Sequence, residues 1–243
     1  MSVHFEKYQP DDFIPIRYFL VKNYCAFPHP VNWFLTRWNY ARYFVVPMLG
    51  AWGIAERNCP EPDTSAEAVD KAVRFWEEAI GVWKTDQGEI AGVVCPDEFV
   101  PWHTSYGQAF LQRCPGHDEH LLPEMLEYAV QNLTRRDRCR IYVGEHDHAL
   151  ARVATDKGFI RDQNPCIIYR EFDLSMLPEP ELPPGYSIQS VADGLDLEKL
   201  REVGGRSFNH PDPREWPTMR SYESWITAPD YRPKLHLAVV RPD

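Results

Sequence analysis

One stretch of the chain, residues 107–133, reads GQAFLQRCPGHDEHLLPEMLEYAVQNL and decides the fold that the sequence predicts. The apolar residues 108–111 are typical of a strand, and the apolar spacing over 120–133 is typical of a long amphipathic helix. The turn between them, 112–117, contains a glycine. A strand that enters a helix through such a turn points several main-chain N–H groups, and the positive end of the helix dipole, at one spot. The sequence therefore predicts an anion-binding seat in front of the helix.

The elements on either side of this unit predict the fold class. We expect a strand at 3–8, a helix at 10–24, a second helix at 32–49 that Pro47 and Gly50 close, a helix at 66–78, a hairpin of 79–84 with 89–95, a strand at 139–143, a helix at 149–157 and a strand at 166–170. The hairpin comes first and a strand–helix–strand crossover follows. The sequence thus predicts an α/β (α+β) fold with a mixed, mostly antiparallel sheet flanked by helices.

Charge and cysteine content narrow the classes of partner. The formal net charge of the 243 residues is −10, which disfavours nucleic acid and anionic membrane surfaces. An anionic nucleotide is still compatible with this charge, because main-chain amides can bind it. The six cysteines form no CxxC pair, the N-terminus lacks a secretory apolar segment, and no apolar run is long enough to span a bilayer. We therefore expect a cytoplasmic protein with free thiols and with neither a nucleic-acid nor a membrane partner.

The sequence pattern restarts after a proline-rich segment. Residues 174–184 read LSMLPEPELPP and predict a stiff connector. A strand-like alternation follows at 186–191, then a helix at 196–203 and an apolar strand at 234–240. We expect a first domain over 1–173, a linker over 174–184, and the N-terminal part of a second copy over 185–243. No partner strand follows the final strand, so its open edge and apolar face allow a homodimer or docking on the first domain.

Three other chemistries have weaker support in the sequence. Histidine and acidic residues alternate at 145–148 and 117–120, but neither run is HExxH, and solvated loop residues explain them better than a metal site. Cys114 has no paired base at a diagnostic spacing, which disfavours a thiol nucleophile. The arginine-rich run 134–138 fits a solvated helix end better than an anion-binding patch. We therefore predict no metal site, and a bound ion that joined the two clusters would reverse this prediction.

These features resemble the GNAT acetyltransferase superfamily, and within it the tandem two-domain members. The likeness rests on the β-α-α-β-β order of elements, on the strand–turn–helix unit at 109–133, on the helix that ends in Asp156-Lys157-Gly158-Phe159, and on the restart after the linker. The resemblance implies transfer of an acetyl group from acetyl-CoA to an amine of a small molecule or peptide. It also implies that the cofactor pyrophosphate binds the turn before the long helix and that the pantetheine arm lies beside the preceding strand.

The resemblance gives roles to particular residues. Acetyl-CoA, as co-substrate, would contact the end of the strand and the turn. These cofactor-binding positions are Phe110, Leu111, Gln112, Arg113, Cys114, Gly116 and His117. A main-chain N–H near Phe110 or Leu111 would polarise the thioester carbonyl. A carboxylate or water would remove the amine proton, and Glu145 and Asp147, after the next strand, are the catalytic candidates.

Several positions depart from the family pattern. The family turn usually reads Gln/Arg-x-x-Gly-x-Gly/Ala, but Pro115 replaces the first glycine here and has no N–H to donate. Asp118 and Glu119 bring negative charge to the seat, and Ala154 replaces the tyrosine that often serves family members as general acid. These departures predict a degenerate first domain, and the matching turn and tyrosine of a truncated second copy would lie beyond Asp243. The alternative function is a catalytically silent scaffold that supports another active site.

Overall fold

The computed structural model describes residues 2–24, 35–52, 65–97, 107–116, 118–163, 179 and 181–241. Its strands are β1 (Val3–Lys7), β2 (Gly81–Thr85), β3 (Ile90–Pro96), β4 (Gly107–Arg113), β5 (Cys139–Ile141), β6 (Ser187–Ser190) and β7 (Leu237–Val240). Its helices are α1 (Phe13–Tyr24), α2 (Leu35–Tyr40), α3 (Val46–Trp52), α4 (Ala66–Glu78), α5 (Asp118–Leu133), α6 (His148–Asp156), α7 (Leu197–Ser207) and α8 (Met219–Trp225). A π-helical turn, Ala41–Val45, joins α2 to α3.

Strands β1 to β5 form one sheet in the order β1-β2-β3-β4-β5. Neighbours from β1 to β4 are antiparallel, whereas β4 and β5 are parallel. Helix α5 supplies the crossover that two parallel neighbours require. The predicted fold class, a mixed and mostly antiparallel sheet flanked by helices, is therefore confirmed.

Helices pack on both faces of this sheet. Trp83 on β2 lies under α5, where its indole N–H donates to Glu124 at 3.1 Å. The next residue along the strand, Lys84, points to the other face and binds Asp12 at 3.0 Å, just before α1. That second face also carries α2 and α4. Helix α5 thus covers the face opposite α1, and the sheet lies between two helical layers.

The predicted second helix, 32–49, is wrong at its C-terminal end. Pro47 and Gly50 lie inside α3 and do not close it. In the preceding π turn the N–H of Val46 donates to the carbonyl of Ala41, and this wider turn lets the helix continue into a proline that has no N–H. Gly50 is required by close packing, because a Cβ there would lie 2.6 Å from the Cβ of Ala72 on α4. Residues 32–34 fall outside the described part of the chain.

The central strands differ in length from their predicted bounds. Strand β4 continues to Arg113, because the ladder with β3 extends as far as a 2.8 Å bond from the N–H of Cys114 to the carbonyl of Ala91. The predicted turn 112–117 therefore starts only after Arg113. Strand β5 ends at Ile141, before the expected 143. The strand predicted at 166–170 lies outside the described residues.

The C-terminal region pairs with itself and packs on the first helices. Strand β7 is antiparallel to β6, so the final strand has a partner on one edge, and the expectation that it stands alone is wrong. Phe44 in the π turn contacts the ring of Tyr222 on α8, with centroids 5.3 Å apart. Asn39 donates to the carbonyl of Pro229 at 2.9 Å. These contacts join the C-terminal region to the segment from α2 to the π turn.

Candidate functional site

The predicted anion seat lies between β4 and α5. Gly116 adopts φ = 90°, the left-handed region that glycine tolerates, and a Cβ built on it would meet no atom of the described residues within 4 Å. Helix α5 begins at Asp118, so its first N–H groups follow directly. His117, one of the predicted contact residues, lies outside the described residues. Pro115 contributes no N–H to this turn.

The main-chain groups of β4 alternate between its two neighbours. The N–H of Asp97 donates to the carbonyl of Gln108 at 2.9 Å, and the N–H of Cys114 donates to the carbonyl of Ala91, so the even-numbered residues of β4 face β3. The odd-numbered residues therefore face β5. Leu111 is one of them, and its N–H and carbonyl are directed away from β3.

A gap opens between β4 and β5 beside Leu111. The parallel ladder runs from Gly107 and Cys139 to Ala109 and Ile141, where it ends. Strand β4 continues beyond Ala109, whereas the chain after Ile141 leaves the sheet and enters the turn before α6. The N–H of Leu111 is thus aimed at the gap, the unpaired place beyond the last pair of the ladder. This geometry suits a ligand with an acceptor oxygen that enters edge-on.

Two of the predicted site residues bind each other. The guanidinium of Arg113 donates two hydrogen bonds to the carboxylate of Asp147, at 2.8 and 2.9 Å. The Arg113 side chain is only 4% exposed. Asp147 also accepts from the N–H of Leu150 at 3.0 Å and so caps the start of α6. The pair connects the turn after β5 to the end of β4. The positive charge of Arg113 lies beside the Asp147 carboxylate.

The other predicted residues lie in different environments. Glu145 is exposed in the turn between β5 and α6. Gln112 is buried, donates to the carbonyl of Arg113 at 3.1 Å, and has a side-chain carbonyl oxygen with no partner among the described atoms. Cys114 is half-buried, and this burial raises the pKa of its thiol, although a hydrogen bond to Asn23 opposes the shift. A protonated thiol is a poor nucleophile, which agrees with the weak sequence support for thiol chemistry.

The sequence did not indicate an aromatic and charged cluster beside the gap. The rings of Phe110 and Tyr142 stack with centroids 4.5 Å apart and planes 4° apart. Arg37 on α2 places its guanidinium carbon 5.0 Å from the Phe110 ring centroid and donates from Nε to Asp97 at 3.0 Å. Burial raises the pKa of Asp97, and the bond to Arg37 lowers it in part. The sequence placed Tyr142 inside the predicted strand 139–143, but it could not indicate these contacts, since they join distant segments.

Comparisons with known proteins give a likeness of fold. No protein-family model matches the sequence, and no curated protein matches it. The acetyltransferase of GNAT family from Streptococcus pneumoniae is 14% identical over 71% of this chain and 94% of that one, with a TM-score of 0.44. The GCN5-related N-acetyltransferase from Sphaerobacter thermophilus is 17% identical over 84% of this chain and 65% of that one, with a TM-score of 0.38. At such identities and TM-scores the likeness carries no argument about chemistry.

Metal and membrane features are absent from the described residues. Within the described ranges no three His, Cys, Asp or Glu side chains converge as metal ligands would. The histidine and acidic run at 117–120 starts with a residue outside those ranges. Among the helices that the structure describes, none is both long and apolar enough to cross a bilayer.

Proposed function

We propose that this chain is a GNAT-type N-acetyltransferase that moves an acetyl group from acetyl-CoA to an amine of a small molecule or peptide. The observation that carries the proposal is the gap between β4 and β5. The ladder ends at Ala109 and Ile141, and the N–H of Leu111 faces the opening beyond that pair. A fixed donor in such a gap suits a carbonyl oxygen that gains negative charge during reaction. The tandem arrangement, with 1–173 as the first domain and 185–243 as the start of a second, belongs to the same proposal.

The proposed reaction uses this geometry. The amine nitrogen attacks the thioester carbonyl carbon, the new C–N bond forms, and the C–S bond breaks so that the thiolate leaves and takes up a proton. The N–H of Leu111 polarises the carbonyl oxygen. Glu145, exposed after β5, accepts the amine proton directly or through a water molecule. Asp147 was an equal candidate for this role, but its carboxylate binds Arg113 and the N–H of Leu150.

The residues of the seat fit acetyl-CoA unevenly. The open, left-handed Gly116 and the first turn of α5 suit a phosphate group. Pro115 removes a donor, and the first residue of the helix in the sequence is the acidic Asp118. The edge of β4 fits a pantetheine arm and a thioester better than the turn fits a pyrophosphate. Acetyl-CoA, when bound, supplies the activated acyl group, and we expect its affinity to depend on the arm more than on the phosphates.

A second candidate function, a catalytically silent scaffold, is favoured by specific observations in the same site. Ala154 has no hydroxyl to protonate a leaving thiolate, and it is buried in α6. Arg113 has its guanidinium bound to Asp147. In this reading the domain keeps its shape and supports another active site.

Calorimetric titration of acetyl-CoA into the full chain separates the two candidates. Micromolar binding, together with thiol release when amines are added, supports the acetyltransferase. Silence at millimolar acetyl-CoA contradicts it and supports the scaffold.

Substitution of the proposed base refines the test. Glu145→Gln should lower the rate of thiol release by about 10²–10⁴-fold and leave acetyl-CoA affinity unchanged. Glu202→Gln, at an exposed ion pair on α7, is the matched control and should change neither quantity. An unchanged rate in Glu145→Gln would remove Glu145 from the mechanism.

The setting of the reaction is part of the proposal. We place it in the cytoplasm, with a small-molecule or peptide amine as partner and without nucleic acid or membrane. We also propose a homodimer that forms through the outer edge of β7. Gel filtration with light scattering tests this proposal.

A further inference from the structure

We infer that the stacked rings of Phe110 and Tyr142 set the length of the acyl group that the site accepts and restrict it to acetyl and similarly short chains. The inference rests on the proposed function, because it concerns the same gap between β4 and β5.

The two rings lie at the narrow end of the gap. Ala109 and Ile141 form the last pair of the parallel ladder, and Phe110 and Tyr142 are the next residues on the two chains. Their centroids are 4.5 Å apart and the planes differ by 4°. The stack therefore bridges the two segments at the point where they begin to separate.

Each ring is fixed by a contact of its own. The hydroxyl of Tyr142 donates to the side-chain carbonyl of Gln108 at 2.9 Å, which ties the ring back to β4. Phe110 is 1% exposed, and the guanidinium carbon of Arg37 lies 5.0 Å from its ring centroid. Arg37 is itself held by Asp97. The rings thus form a rigid wall that a ligand cannot push aside without breaking these contacts.

The direction of an acyl-CoA along β4 places its acyl end against this wall. The turn at Gly116 follows the C-terminal end of β4, and Leu111 lies between that turn and Phe110. A thioester whose oxygen accepts from the N–H of Leu111 therefore has its pantetheine arm on the turn side and its acyl carbons on the ring side. Successive strand residues are only about 3.3 Å apart. At this spacing the acyl carbons beyond the methyl group would meet the two stacked rings.

The test measures by calorimetry the affinity of the full chain for CoA, acetyl-CoA, butyryl-CoA and hexanoyl-CoA. A pocket that excludes one methylene discriminates by about 10–200-fold, so hexanoyl-CoA should bind the natural protein at least about 100-fold more weakly than acetyl-CoA. Tyr142→Ala removes one wall and should bring the two affinities within about 10-fold of each other. Tyr142→Phe keeps the ring and is the matched control, which should retain the discrimination.

The outcomes are distinct. If CoA and acetyl-CoA bind and hexanoyl-CoA binds equally well to the natural protein, the inference is overturned while the proposed function stands. If hexanoyl-CoA is excluded but Tyr142→Ala does not admit it, another wall sets the length, and the inference fails. If no CoA compound binds, the proposed function and the inference fail together. Should Tyr142→Ala not fold, Tyr142→Leu and the chain-length cutoff of the natural protein decide the matter in the same way.

Discussion

Arg113 and Asp147 illustrate how a residue's neighbours determine its role. The family resemblance implied separate roles for them, one at the cofactor and one as a base. In the structure their side chains form a bidentate ion pair that is shielded from solvent at the Arg113 end. We propose that both are positioning residues, which hold the turn after β5 against the end of β4 and so keep the gap open.

Loss of the Asp147 charge should destabilise the protein. Asp147→Asn removes the carboxylate charge that the buried Arg113 guanidinium binds, and breaking a buried ion pair typically costs about 3–5 kcal/mol. Urea unfolding of the natural protein and the variant measures the change in free energy of unfolding.

A double variant provides the control. Arg113→Met combined with Asp147→Asn replaces the ion pair with uncharged groups and should recover most of the lost stability. If Asp147→Asn alone costs less than about 0.5 kcal/mol, the pair behaves as a screened surface pair, and the positioning role is contradicted.

At this scale the sequence predicted the positions of part of the candidate site. Phe110 and Leu111 could be placed at the end of the central strand, because apolar patterning marks a strand and the glycine-containing turn marks its end. Tyr142 and Arg37 could not be found in the same way. Their contacts with Phe110 join segments distant in the sequence, and no local pattern encodes such a meeting.

Among the elements, local signals succeeded where they agreed with packing and failed where packing overrode them. The hairpin of β2 and β3 follows from two β-rich runs around a loop that contains glycine, and α4 follows from its helical pattern. Pro47 and Gly50 are usual helix-ending signals, yet α3 runs through both. The π turn before Pro47 and the contact of α3 with α4 at Gly50 are tertiary features, which a single-sequence reading does not contain.

The α3–α4 contact predicts the effect of a small substitution. Gly50→Ala normally favours a helix, but here the new methyl would lie 2.6 Å from the Ala72 Cβ and 3.3 Å from the Ala68 carbonyl oxygen. Overpacking of this kind costs about 1–3 kcal/mol, which we expect to exceed the gain of at most about 1 kcal/mol in helix propensity. Thermal and urea unfolding measure the net loss.

A size swap is the control for this contact. Gly50→Ala combined with Ala72→Gly returns the methyl group to the other helix and should be more stable than the sum of the single changes predicts. A Gly50→Ala variant more stable than the natural protein would show that α3 and α4 separate easily.

At the scale of the whole molecule, the elements that follow β6 repeat those that follow β1. A strand is followed by a capping box and a 3-10 turn after β1, with Gln9 and Asp12, and again after β6, with Ser190 and Asp193. Both first strands pair antiparallel with the strand that follows their helices. This agreement motivates the proposal of a second copy over 185–243. Its sheet leaves large apolar side chains exposed in the described region, namely Ile188, Leu237 and Val239.

The central claim, that the edge of β4 binds a thioester in the gap beside β5, has a direct test. The full chain is labelled with ¹⁵N-leucine, and the Leu111 amide is followed by NMR during titration with acetyl-CoA. A second titration uses CoA, the matched ligand that lacks the thioester carbonyl. We predict that the Leu111 amide proton shifts downfield and becomes protected from exchange with acetyl-CoA but much less with CoA, while Leu200 on α7 is unchanged. A Leu111 amide that does not respond while acetyl-CoA binds, or an absence of binding at millimolar ligand, would contradict the account.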